Sequence, residues 1–299
     1  MLKNTISAII LTKNESKHLP RCIQSLKGIC DDIVVVDCFS DDNTVELAKS
    51  MGARVYQHSW KNYATQFNYG VYNCDIQSEW IWRIDADEFL DKGLGESVKE
   101  AVANCADDVN GIYVRKRIDF MGRSLLHGGW YPSYHLKVFR RNHGDCENRW
   151  MDEHIRIFDG KTITVEKGDQ VDANLNDLTW WSDKHNGYAT REMLDMLLME
   201  YEMDDKAKEV SPKLFGTEEQ RKRWLKLKYI KSPLFIRPFI NFFLRYVCKA
   251  GFLDGKEGFL WHILQGFWYR MLVDAKIFEF KKKMGYDKEK IKEYLKTIQ

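Results

Sequence analysis

Short apolar runs alternate with polar stretches of helical spacing over the first part of the chain. Ile6–Leu11, Ile33–Asp37, Arg54–Gln57 and Trp80–Ile84 predict strands. Leu19–Leu26, Asp42–Met51 and Tyr63–Tyr72 predict the helices between them, with Gly52 closing the second as a C-cap residue. A further helix is expected near Leu90–Ala103. Strands that alternate with helices make βαβ units and a parallel sheet. Uninterrupted apolar strands such as Ile33-Val34-Val35-Val36 are expected to be covered on both faces.

The texture changes at Gly111. Ile112–Arg117, His135–Arg140 and Thr162–Val165 read as strands separated by Gly- and Trp-rich loops, and the loop between Phe120 and Tyr134 carries the pair Gly128-Gly129. It is either a binding loop or a long surface connection. From about Asn176 the chain turns helical, which divides it into an α/β domain over 1–175 and a helical region over 176–299. Residues 232–280 are rich in bulky apolar and aromatic side chains.

Composition narrows the function classes. A net charge of +2 gives no basic excess, so nucleic acid is not an expected partner. Seven cysteines lack C-x-x-C pairing and fit reduced thiols in a cytoplasm better than a disulfide framework or a zinc site. No charged leader with a long apolar region precedes the first strand, so no signal peptide is expected. No run of 18 or more uncharged apolar residues argues for a spanning helix.

Candidate chemistry gathers at the strand ends, where open α/β sheets put their ligands. The first strand leads into Thr12-Lys13-Asn14-Glu15, the second into Asp37-Cys38-Phe39-Ser40-Asp41-Asp42-Asn43-Thr44, the fourth into Asp85-Ala86-Asp87-Glu88. The first two are ligand-facing loops or plain helix-entry turns in which Asn14, Ser16, Ser40 or Asp41 serves as a cap. In the third, Asp85 and Asp87 are two apart and face the same way on an extended backbone. Such carboxylates suit a hard divalent cation that keeps waters and takes up phosphate oxygens. The competing reading is a polar turn whose aspartate caps the next helix. The absence of a Gly-rich first turn argues against a dinucleotide fold or a P-loop.

These three segments, in this order and spacing, resemble the family 2 inverting glycosyltransferases with the GT-A fold, a Rossmann-like and mostly parallel sheet flanked by helices, here with a helical C-terminal extension. The bacterial lipopolysaccharide-core β-glucosyltransferase group is the nearest in pattern. Trp150-Met151-Asp152-Glu153-His154, Lys184-His185-Asn186-x-Tyr188-Ala189 and Gly251-Phe252-Leu253-Asp254-Gly255 extend the match. The resemblance implies that Thr12, Asn14, Glu15, Asp37 and Asp85 line the nucleotide pocket, with Gln66 and Asn68 beside the donor. It implies Mg²⁺ or Mn²⁺ on Asp87, with His154 near the metal or orienting a carboxylate. One departure concerns Phe39 and Asn43, which stand where a small residue and a glycine are usual; asparagine tolerates a left-handed backbone.

Inverting transfer needs a base for the acceptor hydroxyl. Glu153 is the first candidate and Asp152 the second. Arg115 and Arg117 either assist or face solvent, and His185 is an acceptor-side candidate. Phe235, Phe239, Phe242, Phe243 and Tyr246 fall on helical spacing with Arg237 and Arg245 between them. They form either a packed helical pair or an interfacial element whose arginines snorkel to head groups. The expected protein is therefore a metal-dependent hexosyltransferase. It works at the inner face of the cytoplasmic membrane and moves a sugar from a UDP-sugar to a lipid-linked or lipopolysaccharide-type acceptor in envelope glycan synthesis. The alternatives are a sugar nucleotidyltransferase and a non-catalytic membrane-surface scaffold.

Overall fold

The computed structural model describes residues 2–147, 153–203 and 218–297. The chain divides into two compact units, Met1–Leu175 and Asn176–Gln299.

Unit one is built on β1 (Leu2–Thr12), whose apolar residues alternate between two faces. Ile6, Ala8 and Ile10 join one core cluster with α1 (Leu19–Leu26) and α4 (Leu94–Asn104). Ile9 and Leu11 join a second with α3 (Tyr63–Asn73). Both faces are covered, as the unbroken apolar strands require. α3 comes so close that a Cβ at Gly70 would lie 2.8 Å from Ile9 Cγ2.

The other strands are β2 (Asp32–Asp37), β3 (Arg54–Gln57), β4 (Ser78–Asp85), β5 (Glu88–Leu90), β6 (Val109–Phe120), β7 (Arg123–Ser124), β8 (Ser133–Arg140), β9 (Gly144–Cys146), β10 (Ile155–Ile157) and β11 (Lys161–Asp172). The main sheet runs β3-β2-β1-β4-β8-β6-β11-β5, with β7 on β6, while β9 and β10 pair separately. β3, β2, β1 and β4 are mutually parallel. β8 then enters antiparallel between β4 and β6, and β5 pairs antiparallel with β11.

Register brings the parallel strands to a common finish: Thr12 pairs with Asp37, Leu11 with Asp85, and Asp37 with Gln57. Two expected helices start later than their sequence suggests. α2 spans Thr44–Ser50 because Asp42 is spent on the turn before it, accepting from the Ser16 and Thr44 amides. The helix expected near Leu90–Ala103 starts at Leu94, since Glu88–Leu90 is drawn into β5. Gly52 does close α2, with a left-handed φ of 92°.

Unit two contains α5 (Leu178–Glu200), α6 (Glu218–Lys231), α7 (Arg237–Phe242), α8 (Gly255–Trp261), α9 (Tyr269–Lys283) and α10 (Lys288–Thr297). π-helical turns at Phe243–Cys248 and His262–Trp268 continue α7 and join α8 to α9. Met193, Leu197, Val273, Ile277, Ile291 and Leu295 lie in its core. Among the described residues no helix is long and apolar enough to cross a membrane.

Two sequence expectations are corrected here. Arg237 does not snorkel: it is buried, with Nε and Nη2 on Asp274 Oδ1 at 2.8 and 2.5 Å. His185, the acceptor-side candidate, lies inside α5 with Lys184 and Tyr188. His185 stacks on Trp181 at 3.5 Å and its Nδ1 donates to the Trp181 carbonyl, a packing role.

Candidate active site

The carboxyl ends of β1, β2 and β4 carry the polar residues singled out above. Thr12 Oγ donates to Asp37 Oδ1 at 2.8 Å across the β1–β2 pair. Asp37 is fully buried and also accepts from the Ser40 amide (2.9 Å), the Ser40 hydroxyl (2.5 Å) and Gln57 Nε2 (3.4 Å). A buried carboxylate is tolerable only with such partners. Asn14, at φ 58°, locks the two loops together: its amide donates to Ser40 Oγ and its Oδ1 accepts from the Asp41 amide, both at 2.8 Å. Glu15 donates its amide to Thr44 Oγ and holds His18 Nδ1 at 2.6 Å. The left-handed position in the second loop is taken by Phe39 (φ 52°), not Asn43, and the phenyl ring is exposed.

Asp85 and Asp87 are partly exposed, while Ala86 and Glu88 between and beyond them are buried. The three neighbouring carboxylates therefore do not share one environment. Glu88 points inward and is wholly buried, where it accepts from the Asp85 amide at 3.0 Å and from Lys137 Nζ at 3.1 Å. Lys116 Nζ stands 3.2 Å from Glu88 and 2.9 Å from Asp172. Burial pushes the Glu88 carboxyl up, but Lys137 and Lys116 carry it well below the ordinary range.

Asp85 receives the Tyr63 hydroxyl and has Lys137 Nζ at 3.6 Å. Burial raises its carboxyl and Lys137 and Arg83 more than reverse that, leaving it below its usual value. Asp87 Oδ2 accepts from Asn174 Nδ2 at 3.0 Å, and its carbonyl accepts from the Ala173 amide and from Arg21. Much of the charge that the Asp-Ala-Asp-Glu turn concentrates is thus balanced by two lysines rather than left for a cation.

Neither lysine stands out in the sequence. Lys116 is in phase with buried Ile112 and Val114 along β6, whereas Lys137 falls in β8 where the register against β6 shifts between Leu136 and Val138. A lysine in the inward phase of a strand is the signal that reveals Lys116; strand phase does not reveal Lys137, because the register shifts at it.

Among the described residues no group of three His, Cys, Asp and Glu side chains gathers into a metal cage. Asp85 and Asp87 remain the partly exposed carboxylates at the β4 end. That donor set fits an ion held by one or two carboxylates with water and phosphate oxygens completing the shell. His154 is exposed, its amide donates to Glu147 Oε1 at 3.3 Å, and among the described residues it belongs to no such group.

Glu153 is half-buried beside the β9–β10 pair, and its carbonyl accepts from Arg83 Nη1 at 2.9 Å. Asp152 lies outside the described residues, as do Trp150 and Met151. Gln66 is buried in α3, where Oε1 meets His58 Nδ1 at 2.8 Å. Asn68 spends both side-chain atoms on the Cys146 backbone, Nδ2 to O at 2.8 Å and Oδ1 from N at 2.9 Å, so it holds β9 against α3. Arg115 and Arg117 are neither free nor solvent-facing: both pair with Asp169, and Arg117 also with Asp91 and Asp119.

The model for glycosyl transferase family 2 matches residues 7–157. An uncharacterized glycosyltransferase of Rickettsia bellii is 40% identical over 108 residues, which is 36% of this chain and 36% of that protein. The lipopolysaccharide core biosynthesis glycosyltransferase LpsC of Rhizobium meliloti is 33% identical over 147 residues, 48% of this chain and 53% of that protein. A solved structure of glucosyl-3-phosphoglycerate synthase from Mycobacterium tuberculosis, with Mn²⁺, UDP and glucosyl-3-phosphoglycerate, aligns with a TM-score of 0.32 at 20% identity, covering 38% of this chain and 44% of that one. The matches to the two sequence relatives span 36% and 53% of those proteins' lengths.

Proposed function

This chain belongs to glycosyl transferase family 2, with the GT-A fold, and we propose that it moves a hexose from a UDP-sugar to a lipid-linked or lipopolysaccharide-type saccharide in envelope glycan synthesis. The observation that carries this reading is the flush ending of β1, β2 and β4 at Thr12, Asp37 and Asp85, with Asp87 in the turn that follows β4. The lipopolysaccharide direction draws on the likeness to LpsC.

In this reading the Asp37 cluster receives the nucleoside, and Asp85 and Asp87 face the diphosphate. Mg²⁺ or Mn²⁺ on Asp87 would neutralise charge on the leaving diphosphate. The Glu153 carboxylate takes the proton of the acceptor hydroxyl as its oxygen attacks the anomeric carbon. The bond from that carbon to the diphosphate oxygen breaks, and the configuration inverts. Glu153→Gln is expected to lower transfer by about 10²–10⁴-fold while donor binding persists. Full activity in that variant contradicts the assignment of the base.

Contact with the inner face of the cytoplasmic membrane is part of the same proposal. Phe239, Ile240, Phe243, Leu244, Phe252 and Leu253 are all exposed, and the exposed charges near them include Lys249 and Lys256. An apolar face with a cationic fringe suits the lipid boundary and a lipid-borne acceptor. Phe242 and Tyr246 do not share this face; their rings stack on each other at 5.2 Å.

A further inference from the structure

We infer that Arg83 is a positioning residue that ties the acidic end of β4 to the backbone of Glu153. The inference rests on the transferase reading for what Glu153 does, but the physical link stands by itself. Arg83 Nε donates to the Tyr63 hydroxyl at 2.8 Å, and Tyr63 in turn donates to Asp85 Oδ1. The same guanidinium lies over the Tyr63 ring, 4.2 Å from its centroid. Its Nη1 reaches the Glu153 carbonyl at 2.9 Å. One planar fork thus serves the donor-side carboxylate through a phenol and the base-bearing segment directly.

The segment has anchors on both sides of this point. The Glu147 amide donates to the His154 carbonyl at 3.0 Å, closing the β9–β10 pair, and Asn68 grips Cys146 from α3. Arg83 adds a bond on the Glu153 carbonyl itself. A base misplaced by about 1 Å costs up to ~100-fold in rate, so a fixed main chain here is worth having. Arginine is needed because its Nε and Nη1 donors diverge to two acceptors in a rigid plane, whereas lysine carries one charged nitrogen on a flexible stem.

The test uses Arg83→Lys, which keeps the charge, and Tyr63→Phe, which keeps the ring but removes the link to Asp85. Hydrogen–deuterium exchange over residues 153–157 is measured together with UDP release from UDP-glucose, UDP-galactose and UDP-N-acetylglucosamine in Mn²⁺, with water taking the sugar in place of the saccharide acceptor. Arg83→Lys is expected to speed exchange in 153–157 at least ~10-fold, by loss of its hydrogen bond, with the melting temperature nearly unchanged. It lowers kcat by about 10- to 100-fold with the donor KM within ~2-fold. In a Glu153→Gln background it costs nothing further, because the two act through one group. Tyr63→Phe instead raises the donor KM and spares exchange at 153–157.

Unchanged exchange in Arg83→Lys overturns the link, and so does a full additive cost on top of Glu153→Gln. If the parent protein releases UDP from none of the three donors, the transferase reading with these donors fails. The exchange measurement then upholds or overturns the link alone.

Discussion

Lys137 Nζ lies 3.1 Å from Glu88 Oε2, joining β8 to β5 with both side chains out of water. The pair sits beneath the Asp85–Asp87 turn, and the Asp85 amide is bonded to the same carboxylate oxygen. Breaking a buried pair by removing one partner strands the other charge, at a cost of roughly 3–5 kcal/mol. Lys137→Met should therefore lower the stability of the α/β unit by about that amount, reduced by whatever Lys116 compensates. Denaturant unfolding followed by tryptophan fluorescence measures it; a loss under ~1 kcal/mol means that the pair does not hold the turn.

Asp87 is a different case, being partly exposed, with Asn174 on one carboxylate oxygen. Asp87→Asn is expected to fold with a melting temperature within a few degrees of the parent, since surface substitutions of this kind typically move stability by about 0.5 kcal/mol or less. It should lose Mn²⁺-dependent donor binding. Retention of that binding in the folded variant removes Asp87 from the metal site.

The sequence announces the parallel half of the sheet because β1, β2 and β4 are buried on both faces and carry unbroken apolar runs. It also singles out Asp85 and Asp87, but β4 stops at Asp85 and Asp87 stands in the turn that follows, each with its own partners. What it hides depends on partners far along the chain. Glu88 looks like a third surface acid until Lys137, on a strand that enters antiparallel, comes within bonding distance. Arg237 reads as a snorkelling cation until Asp274 is packed against it. Asn68 reads as a donor contact, but β9 takes up both its side-chain atoms. Local periodicity carries no information about any of these pairings.

His262 gives the helical unit a pH dependence. It is fully buried, neither ring nitrogen has a hydrogen-bond partner among the described residues, and a Cβ at Gly251 would fall 2.3 Å from its Nε2. Burial, reinforced by Arg245, lowers the imidazole from 6.5 to about 4. The unfolded chain therefore binds a proton below about 6.5 that the folded unit refuses until about 4, so stability falls as pH drops through that window. Melting temperatures at pH 7.5, 5.5 and 4.5 should decline more steeply for the parent than for His262→Asn. Parallel slopes contradict this. Gly251→Ala, which drives a methyl into the ring, should cost about 1–3 kcal/mol at neutral pH.

The exposed side chains of α7 and of the π-helical turn that continues it yield a membrane prediction. Phe239 and Phe243 are 58% and 55% exposed. Burying a phenylalanine is worth roughly 1.5–3 kcal/mol, so replacing either by serine should weaken partition to anionic vesicles about tenfold or more. Sedimentation with vesicles of mixed phosphatidylglycerol and phosphatidylethanolamine reads this directly. Equal partition of the Phe239→Ser, Phe243→Ser double variant and the parent rules out this face as the membrane contact.

The most direct measurement of the central claim is calorimetric binding of UDP-, GDP- and dTDP-sugars to the folded chain, first with Mn²⁺ and then with EDTA. The transferase account predicts that a UDP-sugar binds with Mn²⁺, that EDTA abolishes the binding, and that Asp87→Asn does the same. Failure of every donor to bind, or equal binding in Mn²⁺ and EDTA, contradicts it.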